Sequence, residues 1–351
     1  MKKILFIWEK LTLGGGEIAL INLTNILSKK GIIVDLMLLD KTHKQNLHKI
    51  PNNFNQIVYF NNIINVSIFV RQYNAIILND ESKLSLIAIL LKLFFKGKII
   101  FWSHLNKDYY SQQLKNKIHQ IIINKFALKF IADYVICVSY YSKSKMINYL
   151  NLKKSDNKII VIYNFITYQI NKDITHKISN PCKILTIGRL SLEKNFQLLI
   201  KAIIYLRQKY PIELTICGDG AERNNLQNLI NQNNANDYIK LVGVIDDPLE
   251  YYQASDIFVS SSITESFSMV VIEALANKLP VIATNTGASE ILEDNKYGIV
   301  IPIDDFDALV SAIEKLINQP ELYNYYVNHG YKGLNKFNNN TIIQQWLNIL
   351  K

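Results

Sequence analysis

The sequence predicts an α/β protein of two doubly wound units. Three observations carry that expectation. Short runs rich in Val and Ile alternate with segments of helical period throughout the 351 residues. Those runs lack the polar alternation of a half-solvated strand, which suits parallel strands covered by helices on both faces. The alternation breaks once, at a polar, aperiodic stretch over 165–181 that ends in Asn180-Pro181. Two strand–helix series divided in this way match two domains of ordinary size, about 100–200 residues each.

Taken in order, the first unit has expected strands at 3–8, 32–39, 75–78, 98–102, 134–138 and 158–162, with helices at 17–30, 84–95 and 112–131. The second has strands at 183–187, 213–217, 239–244, 256–260, 280–283 and 298–302, with helices at 196–209, 222–231, 266–276 and 306–317. The boundaries follow: a first domain over 1–165, a linker over 166–181 and a second domain over 182–340. Residues 341–351 carry Ile342, Ile343, Trp346, Leu347 and Leu350 at helical spacing, and are expected to fold back on the first domain. Ligands of such units bind beyond the carboxyl ends of the strands, so a cleft between the two units is the expected site.

Charge is divided as sharply as the fold. The chain has 39 basic and 29 acidic residues, a net +10. Residues 1–175 carry 24 basic and 10 acidic groups, a net +14, and the remainder is net −4. An anionic partner for the first half is expected, whether nucleic acid, membrane or a phosphorylated ligand. The acidic second half and the lack of a recognised nucleic-acid module argue against nucleic acid. Three cysteines without paired spacing argue against a disulfide framework or a zinc site. The longest apolar stretch, 84–95, is interrupted by Ser85 and Lys92 and is too short to span a bilayer.

Four strand ends carry chemistry. Gly14-Gly15-Gly16-Glu17 follows the first strand and opens a helix. It is either a plain turn or a backbone cradle for an anion. Gly188-Arg189-Leu190 and Glu193-Lys194-Asn195 place two cations on one loop; Arg and Lys together can clamp a diphosphate. Cys217-Gly218-Asp219-Gly220 is a further glycine-bounded strand end, as readily a turn as a binding loop. Glu265 and Glu273 lie eight residues apart, read as the entry and second turn of a helix that presents Phe267, Ser268 and Met269 at its start. Two carboxylates near a basic clamp suit sugar and ribose hydroxyls better than phosphate. His104 ends a first-domain strand and is open to either a loop or a site role.

Together these residues resemble the retaining nucleotide-sugar glycosyltransferases of glycosyltransferase family 4, with the GT-B fold, of the bacterial cell-surface glycan type. The resemblance runs over nearly the whole chain and includes Val138-Ser139, Ser142-Lys143, Asn164 and Thr286-Gly287. It departs at Gly16, where many members have Ala, at Phe165, where many have Gly, and at Asn277-Lys278.

The resemblance implies roles. Arg189 and Lys194 hold the donor diphosphate, Glu273 the ribose and Glu265 the transferred sugar. Phe267, Ser268 and Met269 offer backbone amides to the sugar and distal phosphate. Gly15 and Gly16 approach that phosphate, with Gly188 and Gly218 leaving room for the donor. Val244 and Ile245 hold the base edge, and His104 lies beside the transferred sugar. It implies a hexose or N-acetylhexosamine moved from a nucleotide diphosphate sugar, UDP by preference, without metal or other cofactor. The acceptor is expected to be a lipid-linked or lipid-anchored glycan of capsule, lipopolysaccharide or related polysaccharide synthesis. The same fold also leaves room for a nucleotide-sugar epimerase or hydrolase. The basic first domain, including an expected basic helix over 114–129, implies a cytoplasmic protein held peripherally on an anionic inner membrane face.

Overall fold

A computed structural model of the chain describes residues 2–11, 14–40, 54–60, 62–80, 82–104, 117–153, 156–165, 170 and 174–351. Two compact units appear: Met1–Thr167 with Phe337–Lys351, and Tyr168–Lys336.

The first unit is a seven-stranded parallel sheet of β1 (Lys3–Trp8), β2 (Ile33–Leu38), β3 (Gln56–Tyr59), β4 (Ala75–Asn79), β5 (Lys98–Ser103), β6 (Tyr134–Cys137) and β7 (Ile159–Val161). Its spatial order is β3-β2-β1-β4-β5-β6-β7. The order reverses between β1 and β4, which makes the ends of those strands the place where a crevice opens. Strand β3 was not expected. All four of its residues are only half-buried, so it has no apolar run to read. Its register is fixed by Asp35, fully buried on β2, which accepts hydrogen bonds from Asn55 Nδ2 (3.0 Å), Gln56 Nε2 (2.9 Å) and Tyr73 Oη (2.5 Å). Three donors satisfy a carboxylate that would otherwise be costly to bury.

One face of this sheet packs Leu5, Ile7, Ile76, Leu78, Ile99 and Phe101 against the covering helices. The terminal helix, Asn339–Leu350, belongs to this unit. Trp346 meets Trp102 edge-on at 4.9 Å between centroids. Two of the last helical carbonyls, Ile349 and Leu350, accept from Lys98 Nζ (2.7 Å) and Lys2 Nζ (3.1 Å). Cations thus meet the negative end of the helix dipole.

The second unit is a six-stranded parallel sheet of β8 (Cys182–Ile187), β9 (Ile212–Cys217), β10 (Ile239–Gly243), β11 (Ile257–Ser260), β12 (Val281–Thr284) and β13 (Ile299–Ile301). Its order, β10-β9-β8-β11-β12-β13, reverses between β8 and β11. Residues 174–181, expected within the linker, instead pack onto this unit. Asp256, buried before β11, accepts from Ser179 N, Ser179 Oγ (2.6 Å) and Lys183 N (2.8 Å). His176 is also buried, with its Nε2 2.8 Å from the Asn277 carbonyl. Polarity marked this segment as a linker, but its polar atoms have partners inside the fold. The remaining linker residues, 166–169 and 171–173, lie outside the described residues. Among the described residues no helix is long and apolar enough to cross a membrane.

Candidate active site

The expected loops gather where the second sheet reverses, because β8 and β11 are neighbours and β9 lies on the other side of β8. Backbone contacts lock their ends together. Gly188 N donates to Cys217 O at 2.9 Å, and Gly218 N donates to Gly243 O at 2.7 Å. Gly218 has φ +139°, and a Cβ built there would stand 1.9 Å from Gly188 O. Only glycine allows the strand ends to approach so closely.

Lys194 and Glu265 are brought together from 71 residues apart: Lys194 Nζ donates to Glu265 Oε2 at 2.5 Å. Their side chains retain 21% and 17% of their exposure, so the pair is reachable yet shielded. Two backbone ties hold it. Ser261 Oγ donates to Lys194 O (2.9 Å), and Ile263 N donates to Glu193 O (2.8 Å). Gly287 N donates to Glu265 O at 2.8 Å, and a Cβ on Gly287 would stand 2.2 Å from Ser266 O. Arg189 follows β8 on the same loop, exposed and without an ion pair among the described residues.

One expectation is corrected here. The helix begins at Met269, not Ser266, and Ser268 is its N-cap. Glu265 therefore stands in the loop ahead of the Ser268 N-cap, not at the helix entry. Its place is set by the Gly287 contact and the Lys194 pair. The side chains of Phe267, Ser268 and Met269 are buried, which leaves their backbone as the part that can face a ligand. The Ser268 side chain does not cap the helix, and its buried Oγ has no hydrogen-bond partner among the described residues. First-turn N–H groups without a side-chain cap suit a polar or anionic ligand.

Glu273 is on this helix, 7% exposed. Its Oε2 accepts from Tyr252 Oη at 2.9 Å. Tyr252 was not anticipated. Burial of a carboxylate announced that a partner was needed, but not which of 20 tyrosines would supply it. Arg223 was also missed. It donates from Nη2 to Leu241 O (3.3 Å) and stands 3.9 Å from Asp219, tying β10 to the Gly218 loop. Val244 and Ile245 follow β10, the edge strand; Val244 is 73% exposed.

The first unit has its own cluster at the ends of β1 and β5. Gly14 N donates to Glu17 Oε2 at 2.9 Å, closing the start of helix Gly15–Lys29. A Cβ on Gly16 would lie 3.4 Å from His104 Cγ, so glycine and imidazole are in contact. The Trp102 ring lies 4.6 Å from the imidazole between centroids. His104 Nε2 is buried without a hydrogen-bond partner among the described residues. Burial pushes the imidazole down to about 4, with nearby Asp80 acting the other way.

That shift has a consequence for stability. In the unfolded chain His104 titrates near ~6.5. Between that pH and about 4 the unfolded chain binds a proton that the folded protein refuses. The contribution is complete above the unfolded value and is lost as pH falls through the window. Thermal unfolding of the parent and of His104→Gln should differ by a constant amount above that window. The difference should move against the parent on acidification within it. A difference independent of pH would refute a buried neutral imidazole.

Residues 168–333 match the family model described as glycosyl transferases group 1. The chain is 30% identical to an uncharacterized glycosyltransferase of Methanocaldococcus jannaschii, over 76% of each chain. It is 29% identical, over 61% of its own length and 60% of the relative's, to a Campylobacter jejuni enzyme. That enzyme is named N-acetylgalactosamine-N,N'-diacetylbacillosaminyl-diphospho-undecaprenol 4-alpha-N-acetylgalactosaminyltransferase. Among solved structures, Anabaena HepE in complex with UDP and glucose has the same fold, with a TM-score of 0.85. The match covers 100% of this chain and 99% of that one at 19% identity. The fold is GT-B, as the sequence resemblance implied.

Proposed function

The chain belongs to the glycosyl transferases of group 1, and we propose that it moves a hexose or N-acetylhexosamine from a UDP-sugar to a lipid-linked glycan with retention at the anomeric carbon. The Lys194–Glu265 pair beside Arg189, where the second sheet reverses, is the observation that carries this reading. A diphosphate donor needs cations at its phosphates and acceptors at its hydroxyls, and that loop cluster offers both.

In the reaction the bond from the sugar C1 to the distal phosphate oxygen breaks. A new bond forms from C1 to the acceptor oxygen on the same face. The acceptor's proton passes to the departing phosphate, leaving UDP and the glycoside. Negative charge grows on the phosphate as the bond breaks, and Arg189 and Lys194 neutralise it there, so no divalent metal is required. Stabilisation that strengthens toward the transition state raises turnover. Glu265 accepts from sugar hydroxyls and Glu273 from the ribose. Backbone amides at Phe267, Ser268 and Met269 meet the sugar and distal phosphate. Val244 and Ile245 hold the base edge. The diphospho-undecaprenol in the Campylobacter enzyme's name and the UDP in the HepE complex support this choice of acceptor and donor. The product belongs to capsule, lipopolysaccharide or a related polysaccharide, assembled at the cytoplasmic face of the membrane.

Nucleotide sugars screened with bacterial lipid-linked oligosaccharides and chelator present should give UDP release with one sugar. NMR of the product should report the donor's anomeric configuration. An inverted product, or release that ignores the acceptor, would overturn the reading.

Glu273→Ala should raise the Kd for UDP by about 10–100-fold, the worth of hydrogen bonds to a charged group. Tyr252→Phe should raise it less, because the carboxylate stays and loses only one orienting bond. Calorimetric titration with UDP measures both, and equal affinity in all three proteins would remove Glu273 from the site.

A further inference from the structure

Three helices of the first unit turn apolar side chains outward. A helix covering a sheet ordinarily buries one stripe and shows a polar one. Helix Ser82–Lys92 buries Leu84, Ile87, Ala88 and Leu91, yet exposes Leu86 and Leu90, followed by Leu93 and Phe94. Helix Ile118–Phe126, continued by a wider turn over Ala127–Ile131, buries Ala127 and Leu128 and exposes Ile118, Ile122, Phe126 and Phe130. Helix Ile63–Phe69 exposes Ile64 and Ile68. Each outer stripe repeats every four residues, and helix Ser82–Lys92 packs against both of the others. The exposed residues thus lie on adjoining helices, with exposures of 37–76%. An apolar patch of this breadth on a protein surface marks an interaction.

Charge identifies the occupant. Residues 82–104 and 117–132 contain lysines and no aspartate or glutamate. Lys96, Lys117 and Lys129 are exposed and have no ion pair among the described residues. A second copy of this face would set lysines against lysines. An anionic bilayer neutralises them and takes up the apolar stripes together. The expected basic helix over 114–129 is thereby revised: its first three residues lie outside the described set, and the rest supplies one stripe of three.

We propose that this three-helix face is the surface by which the protein docks on an anionic membrane, with Leu93, Phe94, Ile122 and Phe130 entering the acyl boundary and Lys96, Lys117 and Lys129 on the headgroups. The purpose of docking rests on the lipid-linked acceptor reading; its test does not.

The full chain is sedimented with vesicles of phosphatidylcholine alone or mixed with phosphatidylglycerol. Binding to the mixed vesicles should exceed binding to the neutral ones by about tenfold or more, from several lysines worth roughly fivefold each. Leu93→Glu with Ile122→Glu should lower it about tenfold by removing apolar insertion. Lys117→Gln with Lys129→Gln should lower it only on phosphatidylglycerol. All four residues are exposed, so the thermal midpoint should not move. Equal binding to both vesicles, or unchanged binding by the Glu variants, overturns the proposal. So does a dimer in sedimentation equilibrium that Leu93→Glu splits while vesicles bind nothing. UDP titration of the same proteins reports on the donor site separately: failure there counts against the proposed reaction and leaves the vesicle result standing.

Discussion

Lys194→Ala lowers turnover by about 10²–10³-fold, the usual cost of one preorganised group facing charge that develops in the transition state. Donor affinity falls far less, because Arg189 remains on the same loop. A second cost comes from Glu265. Its carboxylate, 17% exposed, has Lys194 as its cation at 2.5 Å. Without the lysine that negative charge stands unneutralised where the diphosphate is to be received. Part of the loss is therefore repulsion, and Glu265→Gln added to Lys194→Ala should cost much less than the two separate effects combined. Residues in direct contact couple in this way. Lys194→Arg should not restore full activity, since a planar fork replaces a point charge held by one carboxylate oxygen. Steady-state kinetics on the parent and the four variants, with UDP titrations beside them, settle the matter. Parent-like turnover in Lys194→Ala would refute the clamp, and additive losses would refute the coupling.

Much of this arrangement is legible in the sequence, for a physical reason. Parallel strands covered on both faces are apolar throughout, so β1 reads at its observed bounds, Lys3–Trp8, and the six strands of the second unit read to within a residue or two. Glycines at strand ends mark where loops approach one another, and Gly188 and Gly218 do so. What was hidden is held by contacts distant in the chain. Residues 266–268 have helical periodicity, yet Gly287 binds the preceding backbone and the helix starts only at Met269. Tyr252 reaches Glu273 across 21 residues from a five-residue helix that has no period to detect. The outward stripe on Ile118–Phe126 falls within the basic helix expected over 114–129, but that on Ser82–Lys92 was invisible for the opposite reason. A helix apolar on two sides reads as deeply buried until its neighbours are known.

Gly218→Ala should be the most destabilising small change in the second unit. Two separate costs meet at this position. The backbone has φ +139°, a region that L residues adopt at about 1–3 kcal/mol. The added Cβ would also stand 1.9 Å from Gly188 O and 2.9 Å from Gly188 C, both backbone atoms at the end of a central strand. No side chain can rotate away, so the ends of β8 and β9 must part. Forced backbone shifts of that kind add roughly 1–3 kcal/mol. The sum, about 2–6 kcal/mol, is a large share of the ~5–15 kcal/mol that holds a domain folded. Gly31→Ala separates the two costs. Gly31 has φ +77° with nothing within 4 Å of a built Cβ, so only the conformational cost applies, about 1–2 kcal/mol. Denaturant unfolding of both variants should show Gly218→Ala losing clearly more. UDP affinity should fall in Gly218→Ala alone, because Arg189 follows the strand end that must move. Equal midpoints for the two variants would mean that the strand ends are not as close as 1.9 Å requires, and the loop could then not hold Arg189 and Lys194 in fixed register against one diphosphate.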